Sequence, residues 1–145
     1  MKTKIICILH WSSRLFLAGM LIYAGYTKLE NPLQFAVAVE GYKLLSPTLV
    51  IWTVKILPWI EVVLGTAFLI GFKIRYTAAF SSGVLVFFIA VMGVTYLRGI
   101  EADCGCFSVG EKISPFTLVR DTSFILPALY LYFQNRIEKR KKDQD

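Results

Sequence analysis

Charge is scarce in this chain: aspartate, glutamate, lysine and arginine together make up 18% of its 145 residues. Long stretches carry none, which excludes a disordered chain, whose composition is rich in charge and poor in apolar residues. One histidine and three cysteines are present. Two of the cysteines, with the distant Cys7 and His10, do not make a four-ligand zinc set, so no metal site is expected. There is no fixed-period repeat and no low-complexity segment, which excludes a solenoid or a linker array.

What the chain does have is apolar mass, 56% hydrophobic residues and a mean hydropathy of +0.59. That mass is gathered into uncharged blocks instead of an amphipathic spread, the pattern of membrane spans. The formal charge of +6 sits mostly at the ends of those blocks. Basic residues so placed orient a membrane protein; they are not interleaved with exposed aromatics as in a nucleic-acid surface, so nucleic acid is not an expected partner and membrane lipid is.

Four transmembrane helices are expected, over about 5–29, 48–72, 76–97 and 116–135, followed by a basic tail, 136–145. The start, Met1-Lys-Thr-Lys4 and then Ile5-Ile-Cys-Ile-Leu9, resembles a signal peptide. His10 to Arg14 interrupt it and no small-residue cleavage site follows, so it is expected to be retained as part of the first span. The third span is uncharged and, at about 1.5 Å per residue, long enough for a hydrocarbon core of about 30 Å. The fourth carries Arg120, Asp121 and Pro127 and has the weakest hydropathy signal.

Lys2, Lys4, Lys73, Arg75 and the tail fall on one side of this arrangement, against Lys28, Lys43, Arg98 and Lys112 in two longer loops on the other. The imbalance predicts both termini in the cytoplasm, with the loop holding Asp103-Cys-Gly-Cys106 outside. Between the first two spans, Asn31 as N-cap and Pro32 as first helical residue predict a short interfacial helix ending near Gly41, lying over the outer mouth and covering the cysteines.

Cys104 and Cys106 are the candidate catalytic pair. In an oxidising compartment a close pair forms a disulfide or cycles through one. A bridge across the single residue Gly105 closes a very small ring and removes little entropy from the unfolded chain, so redox exchange competes well with a purely structural clamp. Asp103 and Glu101 disfavour a thiolate there, whereas Lys28, Lys43, Arg98 and Lys112 favour one. Cys7, a membrane thickness away, reads as a small buried residue. Ionisable residues inside the spans form a second set, because such residues are costly and are paired or functional. Arg14 and Glu61 both fall near mid-depth by counting from the cytoplasmic ends, which predicts a buried Arg14–Glu61 pair, either a helix staple or a proton-handling group. Pro58, one turn before Glu61, predicts a kink there. Arg120 and Asp121 fall within about a turn of the outer surface, on the cysteine side, placed to support the loop or bind a thiolate.

Taken together these motifs resemble the MauE/DoxX family of small bacterial membrane proteins. The resemblance is carried by Arg14, Tyr23-Ala-Gly25, Lys28-Leu29, Asn31-Pro32 with Phe35, Tyr42, Leu44-Leu45 and Pro47. It continues through Leu57-Pro-Trp-x-Glu61, Gly65, Arg98-Gly99, Asp103-Cys-Gly-Cys-Phe107 and Arg120-Asp121. The Cys-Gly-Cys-Phe element resembles the MauE side, with Ser108 where relatives usually carry Gly. The resemblance implies an all-α four-helix membrane bundle tied to redox chemistry, in maturation of a disulfide-rich methylamine dehydrogenase subunit.

The leading expectation is thiol–disulfide exchange by Cys104 and Cys106 with a periplasmic thioredoxin-like or substrate protein, with a quinone as candidate electron acceptor. The alternatives are a non-catalytic assembly factor that uses the pair as a clamp, and a small proton-linked carrier built on Arg14 and Glu61. The small residues Ala79 and Gly83 would permit a homo-oligomer.

Overall fold

A computed structural model of the chain describes residues 2–105 and 111–142, with side chains over 5–105 and 111–134. Six helices account for nearly all of it: α1 (Lys2–Glu30), α2 (Pro32–Gly41), α3 (Pro47–Ile70), α4 (Ile74–Leu97), α5 (Pro115–Ser123) and α6 (Ile125–Lys142). Among the described residues, three stretches are long and apolar enough to cross a bilayer, Ile5–Glu30, Pro47–Ile70 and Ile74–Leu97. Their outward faces carry Leu15, Phe16, Trp52, Val63, Phe80 and Phe87, all half or more exposed, a surface suited to lipid.

The tightest helix pair is α1 on α3. Two glycines set its closeness. A methyl at Gly25 would lie 2.6 Å from Val62 Cγ2 and 2.8 Å from the Pro58 carbonyl oxygen; one at Gly65 would lie 2.6 Å from Ile22 and 2.9 Å from the Ala18 carbonyl oxygen. Both sites therefore place backbone against backbone, the usual use of small residues where no hydrophobic drive separates helix from lipid. Helix α3 runs through Pro58 without interruption. Around this pair Leu17, Ala18, Leu21, Leu64, Phe68, Ala78, Ala128 and Leu131 form the main core, joining α1, α3, α4 and α6.

At one end of the bundle α3 stops at Gly71, which adopts the left-handed conformation (φ +80°). Arg14 reaches across from α1 and donates from Nε to the Phe68 carbonyl and from Nη2 to the Leu69 carbonyl at 2.7 Å, while its guanidinium stacks 4.6 Å from the Trp11 ring. The last carbonyls of a helix lack intrahelical partners and carry its partial negative charge, so a buried arginine there finds acceptors on the backbone. The expected Arg14–Glu61 pair is thus corrected. Glu61 lies seven residues before Phe68, about 10 Å away along α3, and its partner is Lys28.

The single helix expected over 116–135 is two helices. Ser114 and Thr117 form a reciprocal capping box at the start of α5, with Pro115 in its first turn. Pro127 then has no N–H for the Ser123 carbonyl and its ring crowds that group, which is why α5 ends at Ser123 and α6 begins at Ile125. The expected interfacial helix is α2, bounded by Asn31 and Gly41 as predicted, with Phe35, Ala38 and Val39 buried. Cys7 is exposed on α1, not buried as expected. The side chains of the basic tail lie outside the described residues.

Replacing Gly65 with valine is expected to cost about 1–3 kcal/mol by forcing α1 and α3 apart. Gly83→Val, where an added methyl meets open space, is expected to stay within about 0.5 kcal/mol. Reversible unfolding in mixed micelles measures both.

Candidate functional site

The loop after α4 folds back on itself through a short antiparallel pairing. The Cys104 N–H donates to the Glu111 carbonyl at 2.6 Å and the Ile113 N–H to the Ala102 carbonyl at 3.0 Å, with Asp103 opposite Lys112. Lys112 and Glu101 add a fully exposed ion pair at 2.7 Å; the contact lowers the Glu101 carboxyl below its ordinary range and raises the Lys112 ammonium above its own. Screened by solvent, that pair adds little to stability.

Cys104 has no exposed surface. It sits with Tyr42, Met92 and Ala102 in a second small core. The Tyr42 hydroxyl donates to the Cys104 carbonyl at 2.6 Å. Gly105 turns the chain with φ +68°, and a methyl on it would stand 3.2 Å from Ala38 and 3.6 Å from the Phe35 ring, so α2 lies directly on the Cys104 turn. The interfacial helix and this cysteine are thereby brought together, as the sequence predicts. Cys106 lies outside the described residues.

Beneath Cys104 is α5. The sulfur lies 3.7 Å from Asp121 Oδ2 and 3.9 Å from Arg120 Nη2. Arg120 also donates to Asp121 Oδ1 at 3.0 Å and to Glu111 Oε1 at 2.6 Å, so one guanidinium ties carboxylates from loop and helix together under the sulfur. A guanidinium beside a sulfur favours the thiolate, and a carboxylate beside it accepts the thiol proton. Of the predicted site residues, the structure assembles Asp103, Cys104, Gly105, Arg120 and Asp121.

Lys28 is elsewhere. Its Nζ lies 2.9 Å from both oxygens of Glu61 and 3.3 Å from the Ala24 carbonyl, and 5.4 Å from the Phe35 ring centre. Both members of the ion pair are buried. A helical side chain leans toward its own N-terminus, and a lysine stem is long, so Lys28 reaches back from the end of α1 into the bundle instead of out into the loop. Sequence reasoning missed Tyr42 and Glu111 as members of the site. Tyr42 belongs to the motif series above; Glu111 is a single loop acid with no local signal.

The family model described as methylamine utilisation protein MauE matches residues 6–134. Among curated proteins, the chain is 33% identical over 121 residues to the methylamine utilization protein MauE of Methylophilus methylotrophus, covering 81% of this chain and 64% of that protein. It is 27% identical over 122 residues to the MauE of Paracoccus denitrificans, covering 83% and 66%. The chain thus spans about two thirds of the length of these relatives. No solved structure matches.

Removing one partner of the Lys28–Glu61 pair, by Lys28→Met or Glu61→Leu, is expected to cost about 3–5 kcal/mol, because a lone buried charge remains; the double variant is expected to recover most of the loss. Unfolding free energies of the two singles and the double in micelles test this. Additive losses would contradict a direct pair.

Proposed function

The chain belongs to the MauE family, and from that premise we propose that it is a multi-pass inner-membrane maturation protein whose Cys104 and Cys106 exchange disulfide with an extracytoplasmic protein. The single observation that carries this reading is the setting of Cys104, whose sulfur stands between the Asp121 carboxylate and the Arg120 guanidinium at 3.7 and 3.9 Å. A merely structural cysteine needs neither group, whereas an exchanging one needs both a proton acceptor and a cation for the thiolate.

In the proposed exchange the Cys104, Cys106 disulfide accepts two electrons and two protons from a dithiol on the partner, which leaves as a disulfide. The reduced pair returns to the disulfide by giving the two electrons and two protons to a bilayer acceptor of the quinone class. The partner is a thioredoxin-like or cysteine-rich substrate protein, and methylamine utilisation, named for the relatives, is the proposed setting. The broken pair α5 and α6 makes the fourth crossing, both termini are cytoplasmic, and the loop faces outward; the distribution of lysine and arginine supports this orientation. Ala79 and Gly83, both exposed on α4, would let a second copy approach closely.

The complete burial of Cys104 favours a second reading, a permanent clamp in a non-catalytic assembly factor. The two readings part on a Cys104→Ser variant expressed at normal level. Exchange predicts that partner oxidation in cells falls to background and that a Cys106→Ser variant accumulates mixed disulfides with the partner. The clamp predicts no mixed disulfide and partner oxidation retained in proportion to folded protein.

A further inference from the structure

Hydroxyls on apolar helices normally donate to the carbonyl one turn back, and Thr53, Thr66, Ser82, Thr95 and Thr122 all do so here. Ser81 does not. Its hydroxyl is almost wholly buried and, among the described residues, has no hydrogen-bond partner. It lines a cavity of about 40 Å³ in the centre of the bundle, and the other polar groups on that cavity are Lys28, Glu61 and Asp121. The remaining walls, among them Leu21, Leu64 and Phe124, are apolar. A space of this size holds about three waters, and water is stable in a cavity only where several polar groups converge.

We propose that this cavity is a water-filled proton path joining Cys104 and Asp121 to the Lys28–Glu61 pair, with Ser81 as its central hydrogen-bonding post. The proposal rests on the exchange reading of Cys104 and adds where its proton goes. The Cys104 thiol gives its proton to the Asp121 carboxylate; Asp121 passes it through water held by Ser81 to the Glu61 carboxylate. The net change is thiol plus glutamate to thiolate plus glutamic acid. Lys28 remains an ammonium throughout; while Glu61 is protonated, Lys28 keeps the Ala24 carbonyl at 3.3 Å and the neutral carboxyl oxygen as acceptors, and the negative charge stands on the Arg120 side of the bundle. The reverse transfer reprotonates Cys104 when it leaves a mixed disulfide. The charged groups facing Asp121 are Arg120 on its own helix, Glu111 of the loop through Arg120, Lys28 on α1 and Glu61 on α3; from α4 the polar group on the cavity is Ser81. Asp121 touches the sulfur directly, while Ser81 and Glu61 act through it.

The test uses the full chain in phospholipid nanodiscs with Cys7→Ser and Cys106→Ser, so that Cys104 is the reactive sulfur. Its rate of modification by methyl methanethiosulfonate is followed against pH. Ser81→Val, which removes the hydroxyl and fills the space, is expected to slow modification about tenfold or more near neutral pH and to erase the inflection contributed by the relay carboxylates. Ser81→Thr, which keeps the hydroxyl, is expected to restore both. If Ser81→Val does not fold, Ser81→Ala replaces it with the same direction expected. Rates and profiles that superpose on the parent protein would overturn the path. Failure of partner oxidation with an intact Ser81 effect would instead overturn the exchange reading, because this assay contains no partner.

Discussion

The buried ion pair between Lys28 and Glu61 is the contact on which the rest of the arrangement depends. In a bundle surrounded by lipid there is no hydrophobic drive to hold two apolar helices together, so polar contacts and close packing must do it. Gly25 and Gly65 bring the backbones of α1 and α3 near enough for a lysine stem to reach the glutamate. That approach fixes the end of α1, and with it the start of α2. Phe35 on α2 lies over Lys28 on one side and against Gly105 on the other, so the position of the cysteine turn follows from a pairing three helices away in sequence.

Electrostatics divides the bundle into two ends with different tasks. At the Gly71 end, Arg14 is consumed by the carbonyls of Phe68 and Leu69 and closes the turn between α3 and α4. At the opposite end Arg120 gathers Asp121, Glu111 and the Cys104 sulfur. One arginine terminates a helix; the other is placed where a negative charge would develop on sulfur. Covering that sulfur with α2 strengthens each of these interactions, since water is excluded, and any reagent that reaches the sulfur must displace α2 or the turn.

Much of the scaffold was legible because bilayers restrict the menu. Apolar blocks of sufficient length gave three spans, and Asn31, Pro32 and an end expected near Gly41 bounded α2. Pro127 was visible but its effect was not: only the arrested helix at Ser123 shows that the segment expected over 116–135 is jointed. The Arg14 and Glu61 pairing failed because depth was counted along backbones, whereas long side chains choose partners up to about a turn from their own Cα and backbone carbonyls compete as acceptors. Lys28 was assigned to a loop for the same reason. The Cys104, Arg120 and Asp121 cluster was half legible: its members were marked by type and side of the membrane, but their convergence on one sulfur, and the roles of Tyr42 and Glu111, required the folded loop.

The most direct test of a cycling cysteine pair is its redox state in native membranes, read by trapping thiols with a mass-tagging reagent in cells grown with and without a respiratory inhibitor. The account predicts a mixed population of oxidised and reduced Cys104 and Cys106 that shifts toward the thiols when respiration is blocked. A pair that stays fully oxidised under both conditions would contradict it and leave the cysteines as a structural clamp.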